Sequence, residues 1–206
     1  MIPLMVDITN KQVIICGGGE VSARKAAYFA QEAEVTVYSR SFSPAFATIP
    51  VRKIQIELNA NDDQISSIIR GAFLVIAATS DPELNNVIRT RCEAEQILCN
   101  SATSPLGDVT LPAQYHGNQF TITVSTHGKS PAVSRYIREY MQNTFPNLDQ
   151  MICLEETLRC DLKNNQIPED ERKRILTTIL NDPHIWSALP SGSDAARRYV
   201  QEKYQI

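Results

Sequence analysis

No apolar run in this 206-residue chain approaches the roughly 20 residues that a bilayer-spanning helix needs, so a membrane partner is not expected. The formal net charge is only -3 and the pI near 5.7. The surplus of positive charge that nucleic acid demands is missing. Residues 1–11, MIPLMVDITNK, hold no basic stretch ahead of an apolar one, so a secretory leader is not expected there. The five cysteines are odd in number, Cys92 and Cys99 lack CxxC spacing, and only three histidines exist, His116, His127 and His184. No metal site is expected. The cysteines (Cys16, Cys92, Cys99, Cys153 and Cys160) stand mostly in apolar settings and read as reduced, buried thiols of a cytoplasmic protein. Internal repeats and low-complexity tracts are also missing.

What is present is an ordinary globular composition, 43% hydrophobic and 21% charged. The chain is long enough for one large domain or two small ones. Its organising stretch is VIICGGGEVSARK at residues 13–25. The apolar run Val13-Ile14-Ile15-Cys16 reads as a buried strand. It stops at Gly17, Gly18 and Gly19, and Glu20 and Val21 open a helix. Strand, glycine turn and helix set backbone N–H groups and a helix N-terminus against a pyrophosphate. The third glycine of the usual motif falls on Ser22 or Ala23, small enough for close helix–strand packing.

Periodicity then predicts a helix over residues 20–33 with Val21, Ala26, Phe29 and Ala30 on one side. Strands follow over 34–38 and 52–58, a helix over 62–70, a strand over 73–78, a helix over 81–95 and a strand over 97–100. Alternating strands and helices predict an α/β fold, a Rossmann-type parallel sheet covered by helices. After residue 101 the pattern changes. A turn is read at 104–107, a short extended piece at 109–113 and a turn at His116-Gly117. A strand is expected over 119–126, then a helix over 131–143 with Ser130 as N-cap and Pro131 at its first position. The chain beyond Pro146 is helical in pattern.

Dinucleotide sites that take NAD usually carry Asp or Glu at the end of the second strand, bound to the ribose hydroxyls. Here Tyr38-Ser39-Arg40 stands there. Ser39 suits a ribose hydroxyl. Arg40 suits three readings: a stack on adenine, a pair with the 2′-phosphate of NADP, or a solvated loop residue. Thr79 and Ser80, at the end of the fourth strand, should line the opposite side of the crevice.

The segments GGGEVSARKA, AATSDPELN, CNSATSP, DVTLPA and VSTHGKSPAVSRYIRE, in this order, resemble the precorrin-2 dehydrogenase family. These are the enzymes of sirohaem synthesis, found also as the N-terminal module of larger sirohaem synthases. The resemblance covers residues 2–138 and thins past Pro146. It implies a cytoplasmic homodimer that dehydrogenates the anionic tetrapyrrole precorrin-2 to sirohydrochlorin with NAD. It implies an NAD-binding Rossmann domain at residues 1–112, a small α+β dimerisation segment at 113–146 and a helical C-terminal domain at 147–206. It places NAD contacts on Glu20, Val21, Arg40 and Ser41, which draws Arg40 toward NAD.

One departure bears on catalysis. Many relatives carry an aspartate in an NVVD-type stretch, assigned to acid/base work in dehydrogenation and iron chelation. This chain has Asn100-Ser101-Ala102-Thr103, so Thr103 takes that position and Asp108 is the nearest carboxylate. A dehydrogenase without chelatase activity fits best; the alternatives are a bifunctional dehydrogenase/ferrochelatase or a non-catalytic NAD-sensing module. The relatives' serine in an SSGG-type loop is Thr126 here. For the substrate's carboxylates, His127, Lys129 and Ser130 precede a helix N-terminus, and Arg135 and Arg138 lie three apart on that helix. A solvated helix face and a solvated loop histidine are the plain alternatives.

Overall fold

The computed structural model describes residues 1–60, 63–103 and 107–204. The start of the helix read at residue 62, and most of the turn read at 104–107, lie outside the described residues. The chain forms two compact units, Met1–Leu111 and Pro112–Ile206.

The first unit is a five-stranded parallel sheet. Its strands are β1 (Gln12–Cys16), β2 (Glu34–Ser39), β3 (Arg52–Gln55), β4 (Leu74–Ala77) and β5 (Leu98–Ser101), in the order β3-β2-β1-β4-β5. Helices α1 (Glu20–Phe29), α2 (Gln64–Ile69) and α3 (Pro82–Ala94) cover it. Strand alternation divides the core between the two faces. Ile14, Cys16, Val75, Ala77 and Cys99 meet Ile65 and Ile69 of α2 and Leu84, Ile88 and Cys92 of α3. Val13, Ile15, Val35, Val37, Leu74 and Ile76 meet Ala23, Ala26 and Phe29 of α1 and Phe46. Strands buried on both faces explain why residues 13–16 and 74–77 are unbroken apolar runs.

Boundaries differ from expectation by a few residues. α1 ends at Phe29, not near 33, and its buried stripe is Ser22, Ala23, Ala26 and Phe29. Val21 lies off that stripe, 45% exposed. β3 stops at Gln55, although the Ile56 N–H still donates to the Ser39 carbonyl at 2.9 Å. α3 begins at Pro82 because Asp81 is its N-cap, accepting from the Glu83 and Leu84 N–H groups at 2.9 and 3.3 Å.

The second unit opens with an antiparallel hairpin, β6 (Ala113–His116) and β7 (Thr121–Val124). Helices α4 (Pro131–Thr144), α5 (Leu148–Asn164), α6 (Glu169–Leu180), α7 (Pro183–Ala188) and α8 (Ser193–Tyr204) follow. Met151, Leu154, Leu158 and Leu162 of α5 form the centre of their core, against Leu176, Ile179, Ile185, Leu189, Ala196 and Val200. β6 has no counterpart in the sequence reading, and His116 is its last residue instead of part of a turn. The turn lies at 117–120, closed by the Gly117 N–H on the Phe120 carbonyl at 3.0 Å. All five cysteines are free, but Cys153 and Cys160 are exposed on α5, correcting the expectation of buried thiols; Cys16, Cys92 and Cys99 are buried. No helix among the described residues is long and apolar enough to cross a membrane.

One carboxylate ties the hairpin down. Asp149, in the first turn of α5, accepts from the Asn118 N–H at 3.0 Å and the Gln119 N–H at 2.8 Å. Hydrogen bonds to a charged acceptor are among the stronger ones. Asp149→Ala should therefore destabilise the second unit by about 2 kcal/mol, read as a lower denaturant midpoint. An unchanged midpoint would show that the clamp adds nothing.

Candidate functional site

The site is built where the strand order reverses, between β1 and β4. The Gly17 N–H donates to the Tyr38 carbonyl of β2 at 2.9 Å, and the Ala78 N–H donates to the Cys16 carbonyl at 2.9 Å. The end of β1 is thus held on both sides. At Gly17, φ is +131°, and a Cβ would overlap the Ala78 carbonyl and lie 2.9 Å from Ser22 Oγ. At Gly18 a Cβ would overlap the Ser41 carbonyl and lie 2.7 Å from Ser39 Oγ. The Gly18 carbonyl accepts from the Ser43 N–H at 2.8 Å. At these two positions the chain's own close packing requires glycine.

Gly19 is different. A Cβ there would meet no atom within 4 Å. It is the N-cap of α1, with extended backbone, and no side chain accepts from the first-turn N–H groups. A bare helix N-terminus therefore faces open space at the sheet's switch point, the setting in which α/β folds bind phosphate groups. Glu20 and Val21 stand exposed in that first turn. Ser22 is fully buried and donates to the Ala78 carbonyl at 3.2 Å, so a small residue is needed at this third motif position.

The flanks are equally specific. Ser39 ends β2 beside Gly18, and Arg40 and Ser41 are exposed just beyond it. Gln55 Nε2 donates to the Arg40 carbonyl at 3.0 Å, fixing this turn to the end of β3. Across the crevice, Asn85 of α3, fully buried, latches the end of β4. Its Oδ1 accepts from the Thr79 N–H at 2.9 Å and lies 2.8 Å from Thr79 Oγ1, and its Nδ2 donates to the Thr79 carbonyl at 3.1 Å. The Thr79 hydroxyl thus serves the scaffold, while Ser80 is exposed at the edge.

Beyond β5, the segment at 107–109 covers the strand's outer edge. The Val109 N–H donates to the Cys99 carbonyl at 3.1 Å, and Asp108 Oδ2 accepts from the Cys99 N–H at 3.3 Å. Asp108 therefore closes an edge strand, with its residue otherwise exposed. Thr103 folds back on Ser101, whose Oγ donates to the Thr103 carbonyl at 2.9 Å.

Sequence reasoning missed the group that ties this segment to the glycine helix. Lys25 Nζ of α1 donates to Asn100 Oδ1 at 2.5 Å, and Asn100 Nδ2 donates to the Val109 carbonyl at 2.7 Å. Burial, with Arg24 alongside, draws the Lys25 amine below its ordinary range. No periodic signal joins positions 25 and 100. Nearby, burial pushes the Cys16 thiol up to about 12. The thiol hydrogen bond shared by Cys92 and Cys99 raises the first and lowers the second.

The residues read as substrate contacts belong to the second unit. Thr126 Oγ1 accepts from the Ser130 N–H at 3.0 Å and lies 3.2 Å from Ser134 Oγ, so it organises the loop ahead of α4. His127 and Gly128 have φ of +53° and +78°, and His127 and Lys129 are exposed. Ser130 is the N-cap of α4, as expected, accepting from the Val133 N–H at 3.4 Å. Arg135 and Arg138 share one partner: Arg135 Nε and Arg138 Nη2 each lie 2.8 Å from Glu139 Oε1. The Arg138 side chain is 28% exposed and that of Arg135 74%. Glu139 is a component of this face that the sequence reading did not single out.

Comparison with known proteins agrees with this geometry. A family model described as "Putative NAD(P)-binding" matches residues 4–113. A precorrin-2 dehydrogenase of Methanosarcina barkeri is 36% identical over 211 residues, covering 100% of this chain and 92% of that protein. Siroheme synthase 1 of Aeromonas hydrophila is 29% identical over 95% of this chain, which spans only 42% of that larger protein. The solved structure of SirC, a precorrin-2 dehydrogenase, superimposes with a TM-score of 0.73 at 21% identity, over 98% of this chain and 100% of that one. That structural likeness concerns the fold. The identity to the Methanosarcina protein along the whole chain goes further: this chain belongs to the precorrin-2 dehydrogenase family.

Proposed function

We propose that the chain is a cytoplasmic homodimeric precorrin-2 dehydrogenase that uses NAD to make sirohydrochlorin and inserts no iron. The observation that carries this is the uncapped α1 N-terminus at Gly19, open to solvent between the ends of β1, β2 and β4, in a member of this family. In the reaction the substrate loses two hydrogens, one as hydride and one as a proton. NAD, when bound, accepts the hydride. Gly19, Glu20 and Val21 present the N–H groups for its pyrophosphate, with Ser39, Arg40 and Ser41 on one flank and Thr79 and Ser80 on the other. His127, Lys129 and Ser130 and the arginine pair of α4 suit the substrate's carboxylates. Cytoplasmic residence is supported by five free thiols.

The homodimer is supported by one helix face. Val133, Tyr136, Ile137 and Tyr140 follow one another at helical spacing along α4 and are 46%, 68%, 39% and 58% exposed. Large apolar side chains concentrated in such a stripe mark an association surface. The overall reading is tested by supplying fresh precorrin-2 and NAD anaerobically to folded protein. NADH should appear together with the sirohydrochlorin spectrum, and ferrous iron should then bring no sirohaem. Absence of NADH would defeat the reading.

For the proton we propose Asp108, with Thr103 accessory. Asp108→Asn keeps an oxygen for the Cys99 N–H but removes the carboxylate. Turnover should fall by about tenfold or more with NAD affinity unchanged, whereas Thr103→Ala should stay within about threefold. Equal activity in both variants would mean that this loop supplies no essential base.

A further inference from the structure

The dinucleotide site carries charge that NAD alone does not require. Where an NAD site places a carboxylate against the ribose hydroxyls, β2 ends in Ser39. The chain from residue 35 to residue 56, which includes nearly all of β2, all of β3 and the turn between them, holds no acid at all. It holds three cations, Arg40, Arg52 and Lys53. Lys53 Nζ is directed to the Phe46 carbonyl at 3.3 Å. Arg40 is exposed, and its guanidinium has no ion-pair partner among the described residues. Its main chain, by contrast, is fixed to β3 through Gln55. The head is free on a positioned stem.

Hydroxyl groups surround the same turn. Ser39 Oγ lies against Gly18, and Ser41 packs its carbonyl on that glycine. Ser43, whose N–H is bound to the Gly18 carbonyl at 2.8 Å, buries its Oγ without a hydrogen-bond partner among the described residues. A buried, unused hydroxyl donor is costly unless something accepts from it. A planar guanidinium and several hydroxyls, on a stretch that holds no acid between residues 35 and 56, suit a phosphate monoester.

We infer that this site accepts the 2′-phosphorylated dinucleotide NADP as well as NAD, with Arg40 as the residue that holds the 2′-phosphate. The inference rests on the dinucleotide reading given above and goes beyond it. Arg40 is a specificity determinant: it acts on the added phosphate and leaves the pyrophosphate to the glycine turn.

The test is calorimetric titration of the full chain with NAD and with NADP, so turnover is not needed. The wild type should bind the two within tenfold of each other, with NADP binding weakening more steeply as salt rises. Arg40→Ala should weaken NADP at least tenfold more than it weakens NAD. Ser39→Asp should reject NADP and keep NAD. Wild-type binding of NAD with NADP more than tenfold weaker would overturn the inference alone. Arg40→Ala weakening both dinucleotides alike would also overturn it, since the arginine would then serve the shared adenosine. Binding of neither dinucleotide would overturn the underlying reading as well. Arg40 is exposed and makes no side-chain bond among the described residues, so its truncation leaves the fold intact.

Discussion

Gly19→Asp should abolish dinucleotide binding and leave the protein as stable as before, or slightly more so. The two effects come from the same geometry. A Cβ at position 19 meets nothing within 4 Å, and the backbone there, φ −83° and ψ −177°, is open to any L-residue. Gly19 is the N-cap of α1, and aspartate is among the best N-caps, a few tenths of a kcal/mol better than glycine. The new carboxylate would accept the first-turn N–H groups that are now bare. Those N–H groups and the positive end of the helix dipole are what a pyrophosphate would use there under the proposed function. Binding then faces lost donors, a filled space and a like charge at contact distance. Like charges so placed cost several kcal/mol, so the affinity loss should exceed about 100-fold, or roughly 2.7 kcal/mol. The measurements are a dinucleotide titration and a thermal melt on the same sample. Unchanged NAD affinity would remove the glycine turn from the site.

The parts of this protein that its sequence announces are those fixed by local pattern. Val13-Ile14-Ile15-Cys16 and the run before Thr79 are continuous apolar stretches because their strands are buried on both faces. The glycine turn shows itself because only glycine fits at positions 17 and 18, where the ends of β1, β2 and β4 meet. Ser130 and Pro131 mark the start of α4 in the same way. The parts that stay hidden are fixed by partners distant along the chain. β6 reads Ala113-Gln114-Tyr115-His116, three half-covered residues and an exposed one, with no alternation to detect. Its turn is held by Asp149, roughly 30 positions away. Lys25 meets Asn100 across 75 positions, and Asn85 latches Thr79 from inside α3. Helix phase explains two further misreadings. On α5 the buried stripe runs Met151, Leu154, Leu158, Leu162, which leaves Cys153 and Cys160 on the solvent side despite their apolar neighbours. On α1 the stripe begins at Ser22, so Val21 turns outward to solvent. The glycine motif was thus legible as a unit, but the separate duties of its members were not.

Those duties make Gly17→Ala the counterpart of the Gly19 substitution: it should break the fold of the first unit. At φ +131° an L-side chain is strained whatever room it has, and here there is none. The Cβ would overlap the Ala78 carbonyl, which is main chain and cannot rotate away, and would crowd Ser22 Oγ at 2.9 Å. Relief would mean parting β1 from β4, whose pairing joins Val13 through Cys16 to Leu74 through Ala77 at the centre of the sheet. It would also disturb the Ser22 bond to Ala78 that seats α1. Strained backbone and overpacking each cost about 1–3 kcal/mol, so together they should remove about 2–6 kcal/mol. A domain stable by only about 5–15 kcal/mol then melts far earlier or fails to accumulate in soluble form. Gly19→Ala, adding the same methyl two residues on, should melt within a few degrees of the wild type. If the Gly17 and Gly19 alanine variants melted alike, the close approach of β1 to the end of β4 would not be what requires glycine at position 17. The first and third glycines would then share one role instead of dividing fold from ligand.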